Sequence, residues 1–159
     1  MVVADSSPFI HLDRIGRLDL LFQVFGQIEV PQAIMDEVLA GGRHGAPVPD
    51  LAALPWITVV PNLADPEVLL QPDLHAGEIA ALSVARARVG SLLIVDDLAG
   101  RNAAAKLGLR FIGTAGTVIR AKRTGIIAAA APVLNELAAH GFRLSIDIRL
   151  RLLEQVGER

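Results

Sequence analysis

Residues 91–108 read SLLIVDDLAGRNAAAKLG, and this stretch decides the fold class. Leu92 to Val95 is an unbroken apolar run, the mark of a strand buried on both faces. Asp96-Asp97 ends it. A helix fits Leu98 to Leu107, with Gly108 as its stop. Working outward, the same alternation recurs. Leu109 to Ile112 is a further strand, and Gly113-Thr114 leads into a helix to Thr124, with a plain helix cap expected at Thr114. Upstream, His75 to Val89 places Ile79, Leu82, Ala85 and Val89 at helical spacing.

The start of the chain repeats the pattern. Met1 to Ala4 is a short apolar strand that stops at Asp5-Ser6-Ser7-Pro8, where Ser caps a helix and Pro is an early helical residue. Pro8 to Phe25 is helical, broken near Gly16 and closed by Gly26. Ile28 to Val30 is a strand, and Pro31 opens a helix through Leu39. Residues 41–55 form a Gly/Pro-rich loop with room for one helical turn. Trp56 to Val60 is a strand, and residues 65–73 carry no clear pattern. Helices fit Pro132 to His140 and Ser145 to Val156. Short strands without polar alternation, separated by helices, predict an α/β domain of three layers, α/β/α, with a central, mostly parallel sheet. Nothing divides the chain, so residues 1–159 are expected to form one domain.

Composition narrows the chemistry. The chain has 159 residues, 52% of them apolar, and no Cys. It is too apolar to be disordered, and it has no disulfides, thiol catalysis or Cys-based zinc sites. His11, His44, His75 and His140 show no metal-ligand spacing and read as surface or half-buried. No apolar run reaches the roughly 18–20 residues that span a bilayer, and the start lacks a signal-peptide pattern. A cytoplasmic location is expected. Neither GxGxxG nor GxxxxGK[ST] is present. Ser7 stands where a phosphoaspartyl enzyme of the haloacid-dehalogenase type carries its second Asp.

The net charge of −2 hides an asymmetry. Residues 1–99 hold 5 Lys and Arg against 13 Asp and Glu, a net −8, whereas residues 100–159 hold 10 against 4, a net +6. Ligands of open parallel sheets bind beyond the carboxyl ends of the strands. Asp5 and Asp96-Asp97 fall there. One acid after a strand is accounted for as a helix cap, but two adjacent ones exceed what a cap needs. Glu37 lies near the apolar face of its helix, and Glu78 lies in the first turn of its own, where a favourable helix-end interaction accounts for it taken singly. Together, Asp5, Glu37, Glu78, Asp96 and Asp97 form a set whose mutual repulsion a cation would relieve. Oxygen ligands without Cys or clustered His select hard cations, Mg²⁺ or Mn²⁺. Such a metal activates water for in-line displacement at a phosphate. A metal-dependent phosphodiesterase is the resulting hypothesis.

Six landmarks then carry a resemblance over nearly the whole chain. They are VVADSSPFIHLDRIGRLDLL (2–21), VPQAIMDEV (30–38), LHAGEIAAL (74–82), LLIVDDLAGRNAAAKLGL (92–109), GTAGTVIRAKRTGII (113–127) and LNELAAHGFRLS (134–145). In their order and spacing the chain resembles the PIN-domain ribonucleases, which include the VapC-like toxins of bacterial toxin–antitoxin pairs. The resemblance implies a Mg²⁺- or Mn²⁺-dependent endoribonuclease, the toxin of a type II pair, with a small antitoxin encoded nearby and a homodimeric state. Carried across, the family's first acid falls on Asp5, followed by the hydroxyl of Ser6. The second falls on Glu37 and the third on Glu78, as a direct ligand or through a water. The fourth falls on Asp96 or Asp97, and Val95 stands where many relatives carry Thr.

The resemblance also implies an RNA substrate, which the basic second part of the chain suits. Arg101, one helical turn after Asp97, meets either a phosphate or one of the acids. The amides around Thr114, at a helix start, are a further place for a phosphate. Trp56 is the only Trp and Tyr is absent, so recognition of folded RNA through backbone and shape is expected over base stacking. The apolar helix 17–25 is core or, alternatively, a dimer or antitoxin surface. The competing reading is a PIN-like module that binds RNA or a protein without cleaving.

Overall fold

A computed structural model describes residues 1–43 and 47–159. The chain runs β1 (Val2–Ala4), α1 (Ser6–Arg14), α2 (Leu20–Phe25), β2 (Ile28–Pro31), α3 (Gln32–Arg43), a 3-10 turn at Leu51–Ala53 and β3 (Ile57–Val60). It continues through α4 (Pro66–Leu69), α5 (Ala76–Ala87), β4 (Leu92–Ile94), α6 (Leu98–Lys106), β5 (Arg110–Ile112), α7 (Thr114–Arg123), α8 (Ala131–Ala139) and α9 (Ile146–Glu154). The five strands form one sheet in the order β3-β2-β1-β4-β5, and every pairing is parallel. The fold is the three-layer α/β/α arrangement that the strand pattern predicts.

Register explains why the strands are apolar throughout. Val3 pairs with Leu93 and Leu93 with Phe111, while Ala4 pairs with Ile94 and Ile94 with Ile112. Neighbouring residues on a strand point to opposite faces. Val3, Leu93 and Val95 accordingly pack with Val68, Leu82, Ala85, Ala103 and Ala104 of α4, α5 and α6. Ala4 and Ile94 pack with Phe9, Leu12, Leu21, Val118, Leu134, Leu137 and Leu153 on the other face. Helix α3 touches both α1 and α5, so it bridges the two helical layers at one side.

Some local expectations shift. The first helix is interrupted at Gly16, whose φ is +68°, as expected. Its first residue is Ser6 and its cap is Asp5 rather than Ser. Helix α3 runs a turn beyond Leu39. The unpatterned residues 65–73 contain α4, capped by Asp65, which accepts from the Glu67 amide at 2.8 Å. Helix α5 stops at Ala87, and Val89 is fully exposed, so it is not part of the apolar stripe. Arg88 ends the helix by turning to Glu29 on β2, 3.1 Å away. Trp56 is buried against Phe9 and Phe22, with ring centroids 6.4 and 6.0 Å apart. On helix α2, Leu20 and Leu21 are core, whereas Phe22 is 46% exposed. Among the described residues, no helix is long and apolar enough to cross a membrane. His44 lies outside the described residues.

Candidate active site

The strand order reverses direction between β1 and β4, and the crevice beyond the carboxyl ends of those strands is where ligands bind in such sheets. Asp5 follows β1 directly. Its amide donates to the Ile94 carbonyl at 3.0 Å, extending the ladder one residue and fixing the position of the side chain. Asp5 is 2% exposed and stands at the start of α1, yet its carboxylate gives that helix no capping hydrogen bond. Oδ1 has no hydrogen-bond partner among the described residues. Burial pushes its pKa up to about 6; the Ser6 amide works against this, and the charge of Glu37 adds to it.

Glu37 reaches the same edge from α3. Its Oε2 accepts from the Ser6 hydroxyl at 2.9 Å, and its Oε1 lies 3.0 Å from His75 Nδ1. His75 opens α5 and forms a reciprocal cap with Glu78: the His75 amide donates to Glu78 Oε1 at 3.3 Å, and the Glu78 amide points to Nδ1 at 3.4 Å. His75 Nε2 lies 3.2 Å from the same Oε1. Nδ1 cannot accept from Glu78 and donate to Glu37 at once. The shorter contact is to a carboxylate, so the proton belongs there when the ring is charged. The charged ring then joins Glu37 to Glu78. Glu78 itself is 1% exposed, and its Oε2 is unpartnered among the described residues. Burial pushes its pKa up to about 7, opposed by the His75 amide and reinforced by nearby Asp97.

Asp96 and Asp97 divide their labour. Both oxygens of Asp96 accept from Thr114, Oδ1 from the amide at 2.8 Å and Oδ2 from the hydroxyl at 2.5 Å. Gly113 allows this approach, since a Cβ there would stand 2.8 Å from Oδ1. The cap of α7 is therefore Gly113, not Thr114, and Thr114 is fully buried with its donors committed to Asp96. Asp97 is exposed and caps α6, accepting from the Ala99 amide at 3.2 Å. Arg101 is exposed, and its guanidinium lies 5.6 Å from the Phe111 ring centroid. Among the described residues it pairs with neither Asp97 nor Glu78, so the structural salt bridge weighed from the sequence is not formed.

All five acids thus lie at one edge, but they do not form one cage. Among the described residues, no three His, Asp or Glu side chains come close enough to hold a metal ion together. The donor chemistry nevertheless fits a hard cation. Two almost fully buried carboxylates, Asp5 and Glu78, each keep one oxygen without a partner among the described residues. Mg²⁺ is typically bound through one or two carboxylates while retaining several waters.

His75 was not legible as a site residue from His spacing. The signal that finds it is its place three residues before Glu78, at the start of an apolar helix. His11 also lies nearer this edge than its position suggests. It packs edge-on against Phe142, centroids 4.9 Å apart, and its Nδ1 is buried without a partner among the described residues. Burial pulls its pKa below the ordinary value, with the Asp96 charge opposing.

A family model described as a PIN domain matches residues 1–158 of the chain. No curated protein and no solved structure shows a significant match.

Proposed function

The chain belongs to the PIN-domain family, whose fold is that of nucleases, and from that premise we propose that it is a divalent-metal-dependent ribonuclease hydrolysing RNA phosphodiester bonds. The observation that carries this reading is the pair of buried carboxylates, Asp5 and Glu78, at the switch point of the sheet, each with an oxygen unpartnered among the described residues. A bound Mg²⁺ or Mn²⁺ would supply an activated water and offset the charge developing on the phosphate. Asp5 and Glu78 are the residues we assign to hold it. Glu37, fixed by the Ser6 hydroxyl and His75, is placed to orient water and accept a proton from it. Asp96 holds the start of α7 through Thr114 and adds negative charge beside Asp5. Asp97 sets the start of α6 and adjoins Glu78.

The likeness to toxin nucleases supports the rest of the reading, in which the chain acts as the toxin of a pair with a small antitoxin encoded beside it. The half-exposed Phe22 of α2 suits α2 to a covering partner, either a second copy of the chain or the antitoxin. A second reading is a binding module without catalysis. It is favoured by the absence, among the described residues, of three convergent metal-holding side chains.

The deciding experiment is cleavage of RNA by the purified chain with Mg²⁺ or Mn²⁺, with chelator as control. Wild type should cleave only with metal, and Asp5→Asn should lose roughly 100-fold or more, a barrier change of several kcal/mol. Equal cleavage by Asp5→Asn would refute the mechanism. No cleavage by wild type, together with retained RNA binding, would favour the module.

A further inference from the structure

A groove of about 330 Å³ opens beside Asp96 at the same sheet edge. It is lined by Arg101 of α6 and Phe111 of β5 together with Phe142 and Arg143 from the connection between α8 and α9. Gly113 also lines it, and its lack of a side chain leaves room beside Asp96. Both arginines are exposed. Among the described residues neither makes an ion pair or a side-chain hydrogen bond, although Asp96 and Asp97 lie close in the chain to Arg101.

Two guanidinium groups that line one groove, unpaired among the described residues, are suited to an anion. The planar fork of Arg binds phosphate through paired hydrogen bonds. Among the described residues no acid pairs with either guanidinium, and a backbone phosphate bound by both would supply a counter-charge. The two Phe rings add flat apolar surface, and Arg101 already covers one face of Phe111. A volume of about 330 Å³ lies at the small end of the roughly 300–1,000 Å³ range for ligand sites. It suits a nucleotide of one unpaired strand rather than two paired strands. Base–aromatic stacking tolerates any base, because each has a π face.

We propose that Arg101 and Arg143 form a phosphate clamp that leads one unpaired nucleic-acid strand, with a base beside Phe111 or Phe142, along this groove to the carboxylate edge. The inference rests on the nuclease reading for its direction toward Asp5, but its binding test does not require cleavage. It also departs from the sequence-based expectation that stacking is poor, since Phe142 and Phe111 come to one groove only in the folded chain.

The test is fluorescence anisotropy with short fluorescein-labelled strands in chelator: single-stranded RNA, single-stranded DNA and the matched duplex. The proteins are wild type, Arg101→Ala, Arg143→Ala, the double variant, both Arg→Lys variants and, as a basic control, Lys106→Ala. Single strands should bind more tightly than duplex. Each Arg→Ala should weaken binding about 10-fold, as expected for losing a charged hydrogen bond. The slope of log affinity against log salt should fall by about 0.7 for each phosphate contact removed. Arg→Lys should restore the slope more than the affinity. RNA against DNA distinguishes which strand the groove takes, and either preference supports the clamp. Wild-type affinity and slope in the double variant would overturn the clamp, and if that variant still cleaves RNA with Mn²⁺ the nuclease reading stands. Clamp-dependent binding without any cleavage would keep the clamp and remove the nuclease reading. Tighter binding of duplex, or no strand binding by wild type while an acidic peptide binds, would overturn the proposal.

Discussion

Asp96 and Thr114 are joined twice, with the Thr114 amide and hydroxyl donating to the two oxygens of one carboxylate. The pairing ties the end of β4 to the start of α7, across the β4–β5 edge of the sheet. Thr114→Val keeps the shape and removes one donor, leaving Oδ2 of a half-buried carboxylate unpartnered. The expected cost is about 1–3 kcal/mol, read as a lower urea midpoint with an unchanged slope. Thr114→Ser, which keeps the hydroxyl, should recover most of it.

Gly100 lies on α6, where Gly→Ala ordinarily stabilises by up to about 1 kcal/mol. Here the added Cβ would stand 2.8 Å from Val95 Cγ2 and 2.9 Å from Glu78 Oε2. Gly100→Ala should therefore destabilise the chain and weaken Mn²⁺ binding at Glu78. Calorimetric titration with Mn²⁺, beside a thermal melt, reads both effects.

Ser6 donates to Glu37 but makes no other side-chain hydrogen bond among the described residues. Ser6→Ala should leave the fold intact and lower metal-dependent cleavage about 10-fold or more, as removal of a group orienting a site carboxylate does. The change should appear in kcat, with circular dichroism unaltered.

Burial raises the pKa of Asp5 from 3.8 to about 6 and of Glu78 from 4.5 to about 7. Between those values the folded chain binds more protons than the unfolded one, so its stability falls as pH rises. The contribution is fully present below about pH 4 and is lost as pH passes through about 6 and then 7. In chelator, urea unfolding should give a higher midpoint at pH 5 than at pH 8. Millimolar Mn²⁺ should restore the pH 8 midpoint, because a cation compensates the two carboxylates once they ionise.

Much of this was legible in the sequence for a definite reason. Parallel strands buried on both faces leave apolar runs such as Leu92 to Val95, and acids placed just beyond them mark the binding edge. Asp5, Asp96 and Asp97 reach that edge by this logic, whereas Glu37 and Glu78 come to it from helices α3 and α5. What the local pattern could not carry was the division of roles among them. Asp5 holds the cap position of α1, yet its buried carboxylate makes no capping hydrogen bond and keeps Oδ1 unpartnered among the described residues. Asp96 serves a helix 18 residues downstream, a partner no local window contains. Val89 fits the helical period of α5 yet is exposed, because the helix ends two residues earlier and Gly90, at φ +77°, turns the chain into β4. Arg143 and Phe142 join the groove only through the packing of α8 and α9.

The strand order carries a consequence for how the molecule is made. β1 lies between β2 and β4, so the strand that leads into Asp5 keeps an open edge until residues 92–94 have been synthesised. The carboxylates on either side of the crevice are distant in the chain, and their union waits on contacts of long sequence separation. A growing polypeptide on the ribosome therefore carries Asp5 and Glu37 well before it has a crevice to put them in.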